Sequence, residues 1–454
     1  MKQNLIDLKK DSIYKLFIRI AIPSSIGTIF QNLIAIVDAI YAGKMISATA
    51  LAAIGQIFPI YFIIIALSVG LSIGTTSLIA NNIGSENYKN ATKVFIQSII
   101  LSIIIALIIT LVGINYSENF ISLINDDKKT LLLSKKYINI IFIGSIFIFI
   151  LMSLNSCLSA QGDTKSYRNV LIVSFFLNII LNPILITGKI FNLTLFEPLN
   201  ISGIAIATII SQVVGVVYLS VKLKKTFIIN TFKIIFLKLD FSIIKKILTQ
   251  GIPASIGMMM IAVGSFILLI YVGLFGNNAI AGYSAATRYE GLFFLPLLGL
   301  NTAIITIVGQ NYGAKQFNRV IETYYKGLKL GIIILLILGI ILYLSSEFAI
   351  KFFTDNPDAI IYGSLYLKIS AFMFPAFPFF FIGNATFQGL KRAIIVMYMA
   401  ILRFVMIPLI ILTSIINYSE LNYELLFIIL VILHWIIGIS YFIFSKYQIS
   451  KILN

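Results

Sequence analysis

Apolar residues in this chain run in long blocks, separated by short joints that are charged or rich in Gly and Asn. The blocks fall near 14–42, 51–80, 94–114, 132–159, 167–188, 201–221, 247–274, 279–308, 327–345, 359–387, 393–416 and 424–445. About 20 apolar residues cross a bilayer as a helix, so the pattern predicts an all-α polytopic protein of twelve transmembrane helices. Eight prolines (23, 59, 183, 253, 296, 375, 378 and 408) lie within blocks. Each removes a helical hydrogen bond and permits a kink, although membrane helices tolerate proline better than soluble ones.

The blocks repeat in order. Ala21-Ile-Pro-Ser-Ser-Ile-Gly27 returns as Gly251-Ile-Pro-Ala-Ser-Ile-Gly257, an offset of 230. Asn81-Asn-Ile-Gly-Ser85 returns as Gln310-Asn-Tyr-Gly-Ala314, Gln161-Gly162 as Gln388-Gly389, and Pro183 as Pro408. Six spans per unit bring the chain back to the same side, so the halves are parallel repeats, a plan typical of transporters with a site between two bundles. The expected organisation is a six-helix lobe at 1–221, a cytoplasmic linker at 222–246 and a second six-helix lobe at 247–454.

Composition narrows the class. Of 454 residues, 59% are hydrophobic and 11% charged, with a mean hydropathy of +1.01. That is more apolar surface than a soluble core can bury and leaves no room for a separate catalytic domain. The net charge of +17 would suggest nucleic-acid binding in a soluble protein. By position it reads differently. With the N-terminus placed in the cytoplasm, the inward tails and joints hold 24 Lys/Arg against 6 Asp/Glu, and the outward ones 8 against 9. An excess of +18 on one side and −1 on the other satisfies the positive-inside rule. Both termini are therefore expected in the cytoplasm, with no nucleic-acid partner. The basic stretch 222–246 can lie on anionic lipid. The basic start (Lys2, Lys9, Lys10) leads into a block too long for a signal peptide and reads as the first span. The single Cys157 forms no disulfide framework. A bias to Ile, Asn and Lys suggests an AT-rich bacterial genome. No Walker loop, HExxH or Cys/His cluster marks an ATPase or metalloenzyme, so neither enzyme activity nor a cofactor is expected.

Several residues then acquire meaning together: Pro23 with Val37-Asp38, Leu51-Ala-Ala-Ile-Gly-Gln56, Gln161-Gly162-Asp163, Asn178-Ile-Ile-Leu-Asn182-Pro183 and Val308-Gly-Gln-Asn-Tyr-Gly-Ala-Lys315. In this order, on twelve duplicated spans, they resemble the multidrug and toxic compound extrusion transporters along nearly the whole chain. The resemblance implies two six-helix lobes forming a V around a central cavity. It also implies export of amphipathic organic cations in exchange for H⁺ or Na⁺, by a chain expected to act as a monomer in a bacterial cytoplasmic membrane. The competing expectation is a lipid-linked oligosaccharide flippase of the same superfamily. Twelve spans with only two in-span arginines, Arg288 and Arg403, fit it less well.

Carboxylates within spans are the candidate chemistry, because each costs about 2.5–3.5 kcal/mol to insert. Asp38 lies 19 residues after Arg19, about 28 Å along a helix, and reads as the coupling-ion site. Proton and Na⁺ can compete for one buried carboxylate, and Asp38 is the candidate metal ligand. Asn178 and Asn182, four apart on one helix face, can turn amide oxygens toward Asp38 or hold helices together. Many family members carry Asp where this chain has Asn182, which leaves Asp38 as the only carboxylate of that group. Thr208 or Ser211 can add a hydroxyl. Glu290, near the middle of span 8, is a candidate for cationic substrate or a coupling proton. Arg288, two residues away, should face elsewhere. Family members that couple through acidic residues in spans 7 and 10 differ from this chain, which has none there. His434, the only histidine, is more readily a packing residue than a titrating one.

Overall fold

The computed structural model describes residues 7–124, 127–190, 193–418 and 422–453; Lys2 of the basic start lies outside them. The chain is helical almost throughout. The helices are α1 (Ile13–Tyr41), α2 (Ala48–Gly84), α3 (Tyr88–Ser122), α4 (Lys128–Ala160), α5 (Lys165–Thr187), α6 (Ile201–Leu223), α7 (Phe227–Thr231) and α8 (Phe241–Gly273). They continue as α9 (Asn277–Phe293), α10 (Leu295–Gly313), α11 (Phe317–Lys351), α12 (Pro357–Ser370), α13 (Phe377–Gly389), α14 (Ala393–Ile401), α15 (Ile407–Tyr418) and α16 (Tyr423–Leu453). A short hairpin pairs Lys189 with Thr194 and Ile190 with Leu193 between α5 and α6.

Among the described residues, eleven continuous helical stretches are long and apolar enough to cross a bilayer, and α9 with α10, bent by 42°, gives a twelfth if the pair is one span. The expected all-α polytopic class is what the chain adopts. Most helices outrun their apolar blocks. α3 has 35 residues, about 52 Å at 1.5 Å per residue, against a hydrocarbon core of about 30 Å. Their charged ends remain helical beyond the apolar layer.

Four joints end in the same way. After α2, α4, α10 and α13 the backbone turns left-handed at Glu86, Gly162, Lys315 and Lys391, with φ of 57° to 84°. The following amide then donates back across the turn: Asn87 to Asn82 O, Asp163 to Leu158 O, Gln316 to Asn311 O and Arg392 to Phe387 O, at 2.8–3.0 Å. This is the Schellman closure of helix ends. Gly84 and Gly313 are the last helical residues, and the left-handed position behind them belongs to Glu86 and Lys315. By backbone role Gly162 matches Lys391, an offset of 229 that equals the Glu86–Lys315 offset.

Prolines account for the principal irregularities. Pro296 lacks the amide that would bond back to Leu292, and the α9–α10 bend sits there. Pro375 and Pro378 lie where α12 passes through a 3₁₀ segment, Ala371–Ala376, into α13. Pro408 follows a π-helical turn, Leu402–Met406, that contains Arg403. Pro23, Pro59, Pro183 and Pro253 sit in unbroken helix.

Backbone packing divides the chain into two compact units, one of residues 26–255 and the other of 1–25 with 256–454. The divisions fall inside α1 and α8, two residues past Pro23 and Pro253. In the 26–255 unit, α2 presents Gly70 and Gly74 to the start of α8. A Cβ at Gly74 would lie 2.7 Å from the Gly251 nitrogen. In the other unit Gly299 of α10 plays the same part against Ala21 and Ser25 of α1. Small residues let membrane helices approach this closely, replacing a hydrophobic drive that lipid does not supply.

The expected linker segment is folded onto α3. Gln97 donates to Phe236 O and Lys238 O at 2.8 Å each and accepts from the Asp240 amide at 3.0 Å. Thr92 bonds Thr231, and Lys93 pairs with Asp240 at 2.5 Å. Asp240 also caps α8 through the Ile243 amide. The Lys93 ammonium, aided by that amide, holds the Asp240 carboxyl below the usual aspartate range.

Candidate functional site

Asp38 lies in the 26–255 unit on the last two turns of α1, with 7% of its surface exposed. Pro183 helps to place it. The ring removes the amide that would bond Ile179 O, and Tyr41, one turn after Asp38, donates its hydroxyl to that carbonyl at 3.0 Å. α1 is thereby tied to α5 beside Asn182. An edge-to-face pair, Phe30 with Phe175, holds the same two helices together.

Asn182 donates its amide nitrogen to Asp38 Oδ1 at 2.8 Å, and Thr208 of α6 donates to Oδ2 at 3.4 Å. Asn178, one turn before Asn182, donates to Ser174 O at 2.8 Å and to Ser211 Oγ at 3.0 Å. Ser211 in turn donates to Ala207 O. Asp38, Asn182 and Thr208 thus meet directly, with Asn178 and Ser211 one turn away as a second pair. The amide nitrogen of Asn182, rather than its oxygen, faces the carboxylate, because an ionised carboxylate only accepts. The Oδ1 atoms of Asn178 and Asn182 are buried with no hydrogen-bond donor. Tyr61 of α2 and Tyr137 of α4 lie close enough to feel the Asp38 charge. Neither carried a signal in the sequence, since nothing distinguishes them among 22 tyrosines.

Glu290 belongs to the other unit and is buried on α9. It accepts from the Tyr366 hydroxyl at 2.5 Å, and Ser370 is beside it. Tyr366 and Tyr283 pack edge to face at 4.9 Å, and Tyr366 packs on Phe427 at 4.7 Å, so Glu290 sits against an aromatic wall. Arg288 is exposed on another face. Asp38 and Glu290 form no salt bridge among the described residues.

Arg403 is buried at the π-helical turn. Its guanidinium lies 4.2 Å from the Phe380 ring centre and 5.0–5.1 Å from those of Phe377 and Phe404. His434 bonds the Leu430 carbonyl through Nδ1 at 2.8 Å and packs on Phe377, as a helix-bonded packing residue does.

A group of three or more His, Cys, Asp or Glu side chains able to hold a metal does not occur among the described residues. At Asp38 the groups in contact are instead its carboxylate, the Asn182 amide and the Thr208 hydroxyl, with the Asn178 amide one turn away on α5. Their oxygen atoms are hard ligands, suited to hard cations rather than to soft, thiolate-seeking metals.

The MatE family model matches this chain twice, at residues 23–184 and 253–412. Its second match starts 230 residues after the first, the offset already seen in the repeated motifs. Among named relatives, the chain is 28% identical over 386 residues to "Probable multidrug resistance protein NorM" of Thermotoga maritima, covering 84% of this chain and 80% of that protein. It is 26% identical over 379 residues to "Probable multidrug resistance protein YoeA" of Bacillus subtilis, covering 83% and 80%. Among solved structures it superposes with a TM-score of 0.91 on a MOP superfamily transporter from Pyrococcus furiosus, described as having a binding pocket of reversed polarity. That match covers all of both chains at 24% identity and is a likeness of fold.

Proposed function

Because this chain belongs to the MatE family, the multidrug and toxic compound extrusion transporters, we propose that it is a secondary antiporter exporting amphipathic organic cations in exchange for Na⁺ or H⁺ by alternating access. The observation that carries this reading is the oxygen-rich pocket around Asp38. The carboxylate uses two of roughly four acceptor directions, and the amide oxygens of its partner Asn182 and of Asn178, one turn away on α5, are buried with no donor. A buried cluster with surplus acceptors is favourable only when something positive joins it. A proton on Asp38 or a Na⁺ among these oxygens meets that need, and only one of them can do so at a time. Binding of the ion would then bias α1, α5 and α6 toward one arrangement of the transport cycle. Glu290 with its aromatic wall is the candidate for contact with cationic substrate.

The chain is further proposed to lie in a bacterial cytoplasmic membrane with both termini inside and to act as a monomer. The charge asymmetry supports the orientation, and the hydrogen bonds joining the α2–α3 region to the 222–246 segment support their sharing one face.

The test is ethidium efflux from proteoliposomes under an imposed Na⁺ gradient or an imposed pH gradient. Efflux driven by either gradient supports antiport and names the coupling ion. Efflux that is absent with both, for ethidium and for a panel of organic cations, would overturn the reading in favour of a lipid-linked cargo.

A further inference from the structure

Where the 222–246 segment meets the start of α3, the protein forms an open cavity of about 620 Å³, lined by Lys89, Lys93, Lys233, Lys238, Asn90 and Asp240 among others. Lys93 is neutralised by Asp240. Lys89, Lys233 and Lys238 have no carboxylate partner among the described residues, so the cavity carries a net charge of +3. Its wall is fixed rather than loose: Gln97 holds the backbone at Phe236, Lys238 and Asp240, and the Phe236 side chain is buried. The same wall turns apolar side chains outward. Ile234 is 79% exposed and Phe241 76%, with Ile235, Leu237 and Leu239 about half exposed. A soluble protein would bury such a stretch. Here it adjoins helices that cross the bilayer, and lysines facing an anionic leaflet attract its headgroups.

We propose that this cavity binds the phosphodiester headgroup of an anionic phospholipid from the surrounding bilayer, with the acyl chains laid over Ile234, Ile235, Leu237 and Phe241. Charge and shape both favour this occupant. Lysine ammonium groups are strong donors to phosphate oxygens. The apolar rim gives the lipid tails a surface that a free phosphate ion would leave wet. The lipid would fasten the segment between the two repeats to the membrane, independently of which ion drives transport.

The test uses the full chain extracted from bilayers of equal phosphatidylglycerol and phosphatidylcholine, with retained lipids counted by native mass spectrometry. Wild type is expected to keep one phosphatidylglycerol in preference to phosphatidylcholine. The triple variant Lys89→Gln/Lys233→Gln/Lys238→Gln should lose that preference at least tenfold. If the triple variant misfolds, Lys233→Gln alone, at an exposed position, should weaken it about fivefold, as expected for one lysine near an anionic surface. A control triple, Lys224→Gln/Lys225→Gln/Lys246→Gln, removes equal charge outside the cavity and should keep the preference. Equal loss in the control would overturn the proposal in favour of diffuse attraction. Displacement of the lipid by millimolar inorganic phosphate would overturn it in favour of a soluble anion.

Discussion

Replacing Gly70 with alanine probes the closest helix crossing in the 26–255 unit. A Cβ there would lie 2.5 Å from the Ser255 nitrogen and 2.8 Å from the Gly251 carbonyl oxygen. Non-bonded heavy atoms settle nearer 3.5 Å, so α2 and α8 would have to part by roughly an ångström. Overpacking of this kind costs about 1–3 kcal/mol. The obstructing atoms are backbone and cannot rotate away, so Gly70→Ala should lie near the upper end, about 3 kcal/mol. Gly55 on the same helix supplies the control. A Cβ there meets nothing within 4 Å, and alanine should gain about 0.5–1 kcal/mol from helix propensity alone. The protein carries its own reporter, since its single cysteine, Cys157, is fully buried in this unit. Labelling of Cys157 by a thiol-reactive dye during heating should begin at a distinctly lower temperature in Gly70→Ala, and at the same or a higher temperature in Gly55→Ala. Coincident labelling curves for the two variants would refute the packing argument.

Gly299→Ala makes the equivalent clash with Ala21 and Ser25 in the other unit, and its destabilisation should appear in the fluorescence of the single Trp435. Losing an oxygen ligand beside Asp38 should raise the Na⁺ concentration needed for half-maximal efflux, whereas losing a donor to its carboxylate favours the protonated form and should lower the H⁺ concentration needed. Asn182→Leu, which loses a 2.8 Å bond, should act about tenfold or more, and Thr208→Val, which loses one of 3.4 Å, should act less. Tyr366→Phe strips Glu290 of its phenol donor and should destabilise the unit around Trp435 by about 1.5–3 kcal/mol, whereas Glu290→Gln keeps an acceptor for Tyr366 and should fold normally. Acid should release the 222–246 segment. Asp240 is held below the ordinary aspartate value, so its stabilising contribution is present above about pH 4 and lost as pH falls through the lower folded value. Limited proteolysis in that segment should increase over that acidic range in wild type, and Asp240→Asn should already be cleaved at neutral pH.

The apolar blocks made the spans legible because bilayer thickness dictates their length. The repeated Ile-Pro-x-Ser-Ile-Gly motif marked the two helices in which the compact units divide. Helix ends were less legible, since charged residues such as Lys89 and Lys93 continue α3 beyond the apolar layer. Letter matching paired Gly162 with Gly389, whereas the backbone pairs Gly162 with Lys391, a left-handed position that sequence does not reveal when a lysine occupies it. At the Asp38 pocket, the four-residue spacing of Asn178 and Asn182 showed that both share one face. It could not show that Asn182 meets Asp38 while Asn178 turns to Ser211, because that depends on how α5 packs against α1 and α6. Tyr41 was equally hidden. Its hydroxyl fills the bond that Pro183 leaves open, a relation between residues 138 positions apart from Ile179 to Tyr41.

The most direct measurement follows the ion itself. Proteoliposomes containing wild type or Asp38→Asn are given an organic cation on one side, and the opposing flux of Na⁺ or H⁺ is recorded, with Cys157 protection verifying that both proteins are folded. Wild type should show an ion flux that appears only with the organic cation present, and Asp38→Asn should show none above protein-free vesicles. An undiminished, substrate-dependent ion flux through folded Asp38→Asn would place the coupling site elsewhere.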